Sequence, residues 1–482
     1  MSNDSIHVYP DSMHKRGDSV YHIEKDETGE KLVVAGPDMD LFEGETVVRQ
    51  GESLKRCSLT ESNSLAIRKL FSFTNPQSHK GHRITIGLGD RLGVASGGHI
   101  RIIRDLDVFP VLAQQSIREL NLTGRTYEDV LISAVWAVFR EGYTKGYGAD
   151  GDHLKTYEEV EYALGCGYSM ITLDCSEHIR NDLADIPQPV IDDLYAKTPD
   201  AAKRTLESEY LNRSFHISND IAIEFEEAAF RRMVLIYLPA INHAIGVYND
   251  LIKETGVDFE VSIDETLTTT SPQSHFFVAN ELIKQGVEIT SLAPRFVGEF
   301  QKGIDYLGDV SEFEYDFDIH ARIADKFGYK ISVHSGSDKF SIFPIVGRLS
   351  GGKYHLKTAG TNWLEAVRVI AGHDPQLYRE MHAFALKNLS DAKKYYHISG
   401  NTANIADLET VPDERLPDYL DKDDSRQVLH ITYGLILMAK TNDGGPLFRD
   451  RIYRVLSGHE AEYYAALEKH IGRHLAALQI RK

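Results

Sequence analysis

The chain has 482 residues, 42% of them apolar and 26% charged, which is ordinary globular composition. That length is long for one compact domain and short for three, and a barrel of about 250 residues with extensions accounts for it. The formal net charge of −19 and the lack of a Lys/Arg-rich stripe interleaved with aromatics exclude nucleic acid as the expected partner, and an anionic substrate would need locally placed Lys or Arg.

The first residues, Met1-Ser2-Asn3-Asp4-Ser5, have neither a basic start nor an apolar core, so no secretory signal is expected. Residues 1–75 read as a β-rich cap, with strands at Val20–Ile23 and Lys31–Ala35 across a polar turn. From residue 76 to 400, short apolar runs lead repeatedly into amphipathic helical stretches. The predicted strands are Arg83–Leu88, Pro110–Ser116, Gly142–Tyr147, Ser169–Asp174, Phe259–Asp264, Glu288–Ala293, Lys330–His334 and Tyr354–Thr358. The third is not a clean apolar run. Predicted helices include Tyr127–Phe139, Glu158–Leu164, Pro272–Lys284 and Phe313–Phe327. Eight strand–helix units predict an α/β fold, a (β/α)8 barrel of the TIM type. Residues 179–256 form an oversized insertion with a long helix at Ala222–Lys253, and residues 401–482 read as an all-helical extension through Val428–Ala439 and Ala461–Leu478. The longest apolar runs, such as Val234-Leu235-Ile236, fall far short of the roughly 20 residues of a membrane span, so no membrane partner is expected.

In a barrel of this kind the site lies where the strands end. Every predicted strand end delivers polar groups, which together outline a basin for one small molecule. His153, His275 and His334 are the candidate metal ligands, with Asp152, Asp174 and Glu265 as oxygen donors. Such a set suits Zn, Mn, Ni or Co and does not separate them. Because the chain has 21 histidines, chance placement competes with this reading. Asp152 and Glu265 are the candidate acid and base. Each could instead be a helix cap or the partner of a ligating histidine, and Asp264 competes with Glu265 because the strand register is open. Arg295, Lys302, Lys339 and Lys357, with Lys155 as a fifth, are candidate clamps for a carboxylate or phosphate, and Gln114 and Asp174 are further substrate contacts.

Other signals are discounted. Gly146-Tyr147-Gly148-Ala149-Asp150-Gly151 matches G-x-G-x-x-G, but no buried strand precedes it and no Rossmann pattern follows. No P-loop and no G-x-S-x-G elbow occur. The three cysteines, Cys57, Cys166 and Cys175, are too few for a disulfide framework, and the expected compartment is reducing and cytoplasmic.

Five blocks resemble the tagaturonate epimerase family, in the family's order from about residue 60 to 400. They are Gly87-Leu88-Gly89-Asp90-Arg91, Gly148 through Lys155, Thr172 through Ser176, His334 through Phe340, and Lys357-Thr358-Ala359-Gly360-Thr361-Asn362-Trp363. The resemblance implies a metal-dependent epimerase acting on D-tagaturonate and D-fructuronate, or on fructose and tagatose. The carbon inverted in such a ketose is C4, whose C–H the ketone does not acidify. Retro-aldol cleavage and re-addition, or a related metal-held proton shuttle, fits better than oxidation, since no nicotinamide signature is present. A metal-dependent aldolase or aldose–ketose isomerase on the same barrel, and a sugar-binding regulator without catalysis, stand as alternatives. The expected partner is a small sugar or sugar acid, and a homo-oligomer is compatible with the sequence.

Overall fold

The computed structural model describes residues 6–358 and 360–481, so the readings placed on Met1–Ser5 and on Ala359 lie outside the described residues. Eight parallel strands follow one another around a closed barrel: β1 (Ile84–Gly87), β2 (Phe109–Ser116), β3 (Gly148–Leu154), β4 (Met170–Asp174), β5 (Asp258–Ile263), β6 (Ser291–Pro294), β7 (Lys330–Val333) and β8 (Tyr354–Lys357). Each pairs with its sequence neighbour, and β8 closes on β1 with Tyr354 opposite Ile84 and Lys357 opposite Gly87. Helices fill the connections, among them Tyr127–Arg140, Tyr157–Cys166, Pro272–Lys284 and Val310–Phe327. Thr126 and Thr156 start two of these with capping boxes, satisfying orphan N–H groups at the point where the apolar periodicity begins.

The third strand departs from expectation, running over Gly148–Leu154 rather than Gly142–Tyr147. Its sequence, Gly-Ala-Asp-Gly-Asp-His-Leu, hides it because Asp150 and Asp152 are buried yet ionic, and their partner lies on a distant strand. Gly151 faces the following helix so closely that an added Cβ would come within 2.9 Å of the Ala163 Cβ. The G-x-G-x-x-G match therefore runs from a turn into a strand, not from a strand into a helix.

In the insertion, Ala222–Glu224 is a short strand paired with Ser214–His216, and the long helix begins only at Glu227, ends at Val247 and continues as a π turn over Tyr248–Ile252. The N-terminal region forms a six-stranded sheet in which Ser19–Asp26 and Gly29–Ala35 make a hairpin. It docks on the barrel through Tyr21, Phe71 and Phe139, whose rings meet edge to face.

The C-terminal helices share an apolar cluster with Thr361–His373, the helix after β8, and the Trp363 indole N–H donates to the Leu429 carbonyl at 2.9 Å. Val428–Ala439 is broken at Thr432 into two helices, Asp423–Ile431 and Tyr433–Met438. The last helix, Glu460–Ala477, is tied to the loop after β7. The Asp338 N–H donates to His474 Nε2 at 3.0 Å, and the Asp338 carboxylate meets His470 at 3.0 Å and accepts from Arg426 at 2.7 Å. Among the described residues, no helix is long and apolar enough to cross a membrane.

Candidate active site

At the C-terminal ends of the strands lies a cavity of about 620 Å³. Its floor is one ammonium facing three carboxylates. Lys357 Nζ, at the end of β8, lies 2.9 Å from Asp150 Oδ2, 2.7 Å from Asp152 Oδ1 and 2.9 Å from Glu260 Oε1, and donates to Thr172 Oγ1 at 2.6 Å. Burial disfavours every charge here, but Lys357 holds Asp152 and Glu260 well below the usual carboxylate range. Asp150 remains pushed up to about 6, because burial and its two acidic neighbours outweigh the same ammonium.

Two histidines stand above this floor. Neighbouring residues of a strand face opposite sides, yet Asp152 and His153 both line the cavity. His153 achieves this with a left-handed backbone, φ 54°, where the pairing of β3 with β4 slips register. Its Nδ1 pairs with Asp152 Oδ1 at 2.7 Å, which leaves Nε2 free to face the cavity. His334 follows β7 directly, and its Nε2 pairs with Glu260 Oε1 at 2.7 Å. Its Nδ1 lies 3.2 Å from Asp264 Oδ2, without the alignment of a hydrogen bond, and is otherwise a buried atom with no partner. The two rings are 4.7 Å apart between centroids. Burial lowers the proton affinity of both imidazoles, but the carboxylates reverse it, so His153 is driven up to about 10 and His334 upward.

His153, Asp264 and His334 each offer one donor atom, all within 4.8 Å of one another. An orphaned ring nitrogen beside a second imidazole and a carboxylate fits a divalent cation of the Zn, Mn, Ni or Co kind, with each histidine fixed by a carboxylate on its other nitrogen.

The same cavity is also lined by cations. Arg91 is buried, paired with Glu119 at 2.5 Å and stacked on Tyr433 at 4.1 Å, and its Nε and Nη1 have no partner. Lys302 Nζ donates to Ser335 Oγ at 2.9 Å, and burial and Arg91 lower its proton affinity. Arg118 and Arg295 also line it. The Gln114 amide and the His430 ring lack partners on every polar atom, although both are buried. Gly87 makes room for that amide: a Cβ there would sit 2.1 Å from Gln114 Oε1. Buried polar atoms without partners, gathered in one cavity, are what a polar ligand satisfies.

Of the predicted residues, Gln114, Asp152, His153, Glu265, Arg295, Lys302, His334 and Lys357 thus meet in one cavity. Within it Lys357 is fully engaged by the floor carboxylates, and Asp152 orients His153. Four are not brought to it: His275, Lys339, Asp174 and Lys155. His275 is buried on Pro272–Lys284, where its ring nitrogens pair with His320 at 2.7 Å and Tyr329 at 2.7 Å. Asp264 occupies the third position instead. Lys339 donates to the carbonyls of Gln301, Ile304 and Ser337 at 2.9, 2.6 and 2.8 Å, so it straps two loops together. Asp174 accepts from the Ser176 N–H at 2.8 Å, with Lys155 3.5 Å from its other oxygen. Asp150 and Glu260 escaped sequence reasoning because they lie inside strands. His430 and Tyr433 escaped it because nothing local marks a C-terminal helix as part of a barrel mouth.

Fold and cavity define an enzyme of the (β/α)8 class that works on a small polar ligand, and comparison with known proteins narrows this to an epimerase, one of the isomerases. The chain belongs to the tagaturonate epimerase family, whose sequence model matches residues 9–478. It is 40% identical over 478 residues to the tagaturonate/fructuronate epimerase of Thermotoga maritima, covering 98% of this chain and 97% of that one. Two crystal structures of the fructuronate-tagaturonate epimerase of Cohnella laeviribosi, one with glycerol and one native, superpose with a TM-score of 0.96. They are 50% and 49% identical and cover 99% of this chain and 97% of theirs.

Proposed function

We propose that this enzyme interconverts D-tagaturonate and D-fructuronate by inversion at C4, with a divalent cation held by His153, Asp264 and His334. The observation that carries the reading is the pairing of two groups in a single cavity: a His–Asp–His group with an orphaned nitrogen, and the cations Arg91, Arg118, Arg295 and Lys302. A hexuronate has the matching groups, a ketone with neighbouring hydroxyls and a carboxylate. The similarity to the Thermotoga and Cohnella epimerases supports the same assignment.

When bound, the cation supplies Lewis-acid polarisation of the ketone. The cations hold the carboxylate and fix the sugar's direction, with the Gln114 amide available to its hydroxyls. Asp152 and Glu260 keep the two imidazoles oriented, and Lys357 keeps both carboxylates ionised. Glu265 lines the cavity without a hydrogen bond or ion pair among the described residues, which suits it to take the C4 hydroxyl proton. As that proton leaves, the C4–O bond becomes an aldehyde and the C3–C4 bond breaks, its electrons passing to a C2–C3 enediolate. Rotation of the aldehyde, re-addition to its other face and return of the proton from Glu265 complete the inversion. Atoms and charge balance without an external oxidant.

The test is incubation of metal-replete enzyme with fructuronate carrying deuterium at C4, followed by NMR. Tagaturonate with deuterium retained at C4 is expected. Washout of deuterium into solvent would exclude cleavage and re-addition, and absence of a C4 epimer would exclude the function.

A further inference from the structure

The opposite, N-terminal mouth of the barrel holds a second cavity, of about 300 Å³, between the starts of β1, β6, β7 and β8. On a chain of net charge −19 its lining is strongly basic, with Lys80, His82, Arg83, Lys330 and Lys353 against the single carboxylate of Glu288. The compensating pairs are weak. Lys80 meets Glu288 at 3.5 Å and Lys353 meets Asp325 at 3.8 Å, and these carboxylates are 76% and 83% exposed, so water and salt screen them. Arg83 spends one N–H on the Gly351 carbonyl at 2.8 Å. Lys330 is the unusual member: it is buried, and its Nζ meets only His79 Nδ1 at 2.8 Å and the His79 carbonyl at 3.0 Å. Two acceptors serve three N–H groups, and among the described residues no carboxylate pairs with it.

We infer that this mouth is a second ligand site, which takes a phosphoryl group or an equally compact dianion through Lys80, Arg83, Lys330 and Lys353. Four basic groups around one void repel each other when charged, which closure of the barrel does not require. A tetrahedral dianion supplies what they lack, several acceptor oxygens and two negative charges in the space of one small group. Burial drives Lys330 down to about 7, outweighing the upward pull of Asp258 and Glu260, and nearby Lys353 adds to the lowering. The site lies at the other end of the strands from the sugar cavity, and it stands whether or not the proposed substrate is right.

Inorganic phosphate and a hexose monophosphate, each titrated calorimetrically into the full chain, separate a free anion from a phosphorylated metabolite as the source. Saturable binding of either is expected. It should weaken by about tenfold or more in a Lys80→Ala/Lys353→Ala variant, whose changes lie at the rim, and equally in Arg83→Met. Lys302→Ala, in the sugar cavity, should leave it unchanged, with circular dichroism confirming that each variant is folded. Binding lost in Lys302→Ala but kept in the rim variants would assign the anion to the active site and overturn the inference. So would the absence of saturable binding by either probe.

Discussion

Replacing Lys357 with methionine tests the floor of the site. The substitution keeps the length of the side chain and removes the only cation within ion-pair reach of Asp150 among the described residues, the one ammonium shared by Asp150, Asp152 and Glu260 at 2.7–2.9 Å, where no partner side chain is more than 10% exposed. Deleting one member of a buried ionic group leaves uncompensated charge and costs about 3–5 kcal/mol. At about 2.1 cal/mol/K per residue, 482 residues give an unfolding entropy near 1 kcal/mol/K, so Tm should fall by about 3–5 °C. Asp152 and Glu260 also orient the two histidines, and loosening such partners weakens metal binding by about 10- to 100-fold. Differential scanning calorimetry and elemental analysis of the purified variant read the two effects. Adding Asp150→Asn, which deletes one of the stranded carboxylates, should restore part of the lost Tm. A Tm within about 1 °C of the parent, with ion content unchanged, would refute the reasoning.

His334→Ala should abolish bound metal while leaving the circular dichroism spectrum intact, whereas His275→Ala should keep the metal and lose about 2–4 kcal/mol from its buried bonds to His320 and Tyr329. Elemental analysis beside thermal melts separates the two, and metal loss in the His275 variant would contradict the geometry. A third prediction concerns acid. Burial, with His470 adding, holds His474 down to about 3 against an ordinary value near 6.5. The unfolded chain therefore binds more protons between those values, and stability falls as pH drops from about 6.5 toward 3. His474→Gln should flatten that limb in melts between about pH 4 and 8, and an unaltered slope would show that His474 does not contribute to it.

Strands whose helix-facing residues are apolar were legible in the sequence. β7 and β8 begin at the predicted residue, because Ile331, Val333 and Leu356 announce a buried run. β3 was not legible, since its inward aspartates are tolerable only beside Lys357, more than 200 residues further along. His275 looked like a strand-end ligand, but Ser271 and Pro272 are a helix N-cap and first residue, and that start turns it away from the mouth. Asp264 could not be preferred over Glu265 without the register, which only the pairing of Ser262 with Ala293 and Ile263 with Pro294 fixes. The apolar spacing of the C-terminal helices predicted that they pack. Which polar residue they deliver, and to what, depends on docking geometry that no local pattern encodes.

The single ammonium at the end of β8 also bears on how the chain acquires its shape. Synthesis produces Asp150, Asp152 and Glu260 long before residue 357 emerges, and until then three carboxylates would have to enter a dry interior with only the imidazoles of His153 and His334 beside two of them. A nascent barrel is therefore kept from sealing early, and its last strand arrives as a keystone that admits the others.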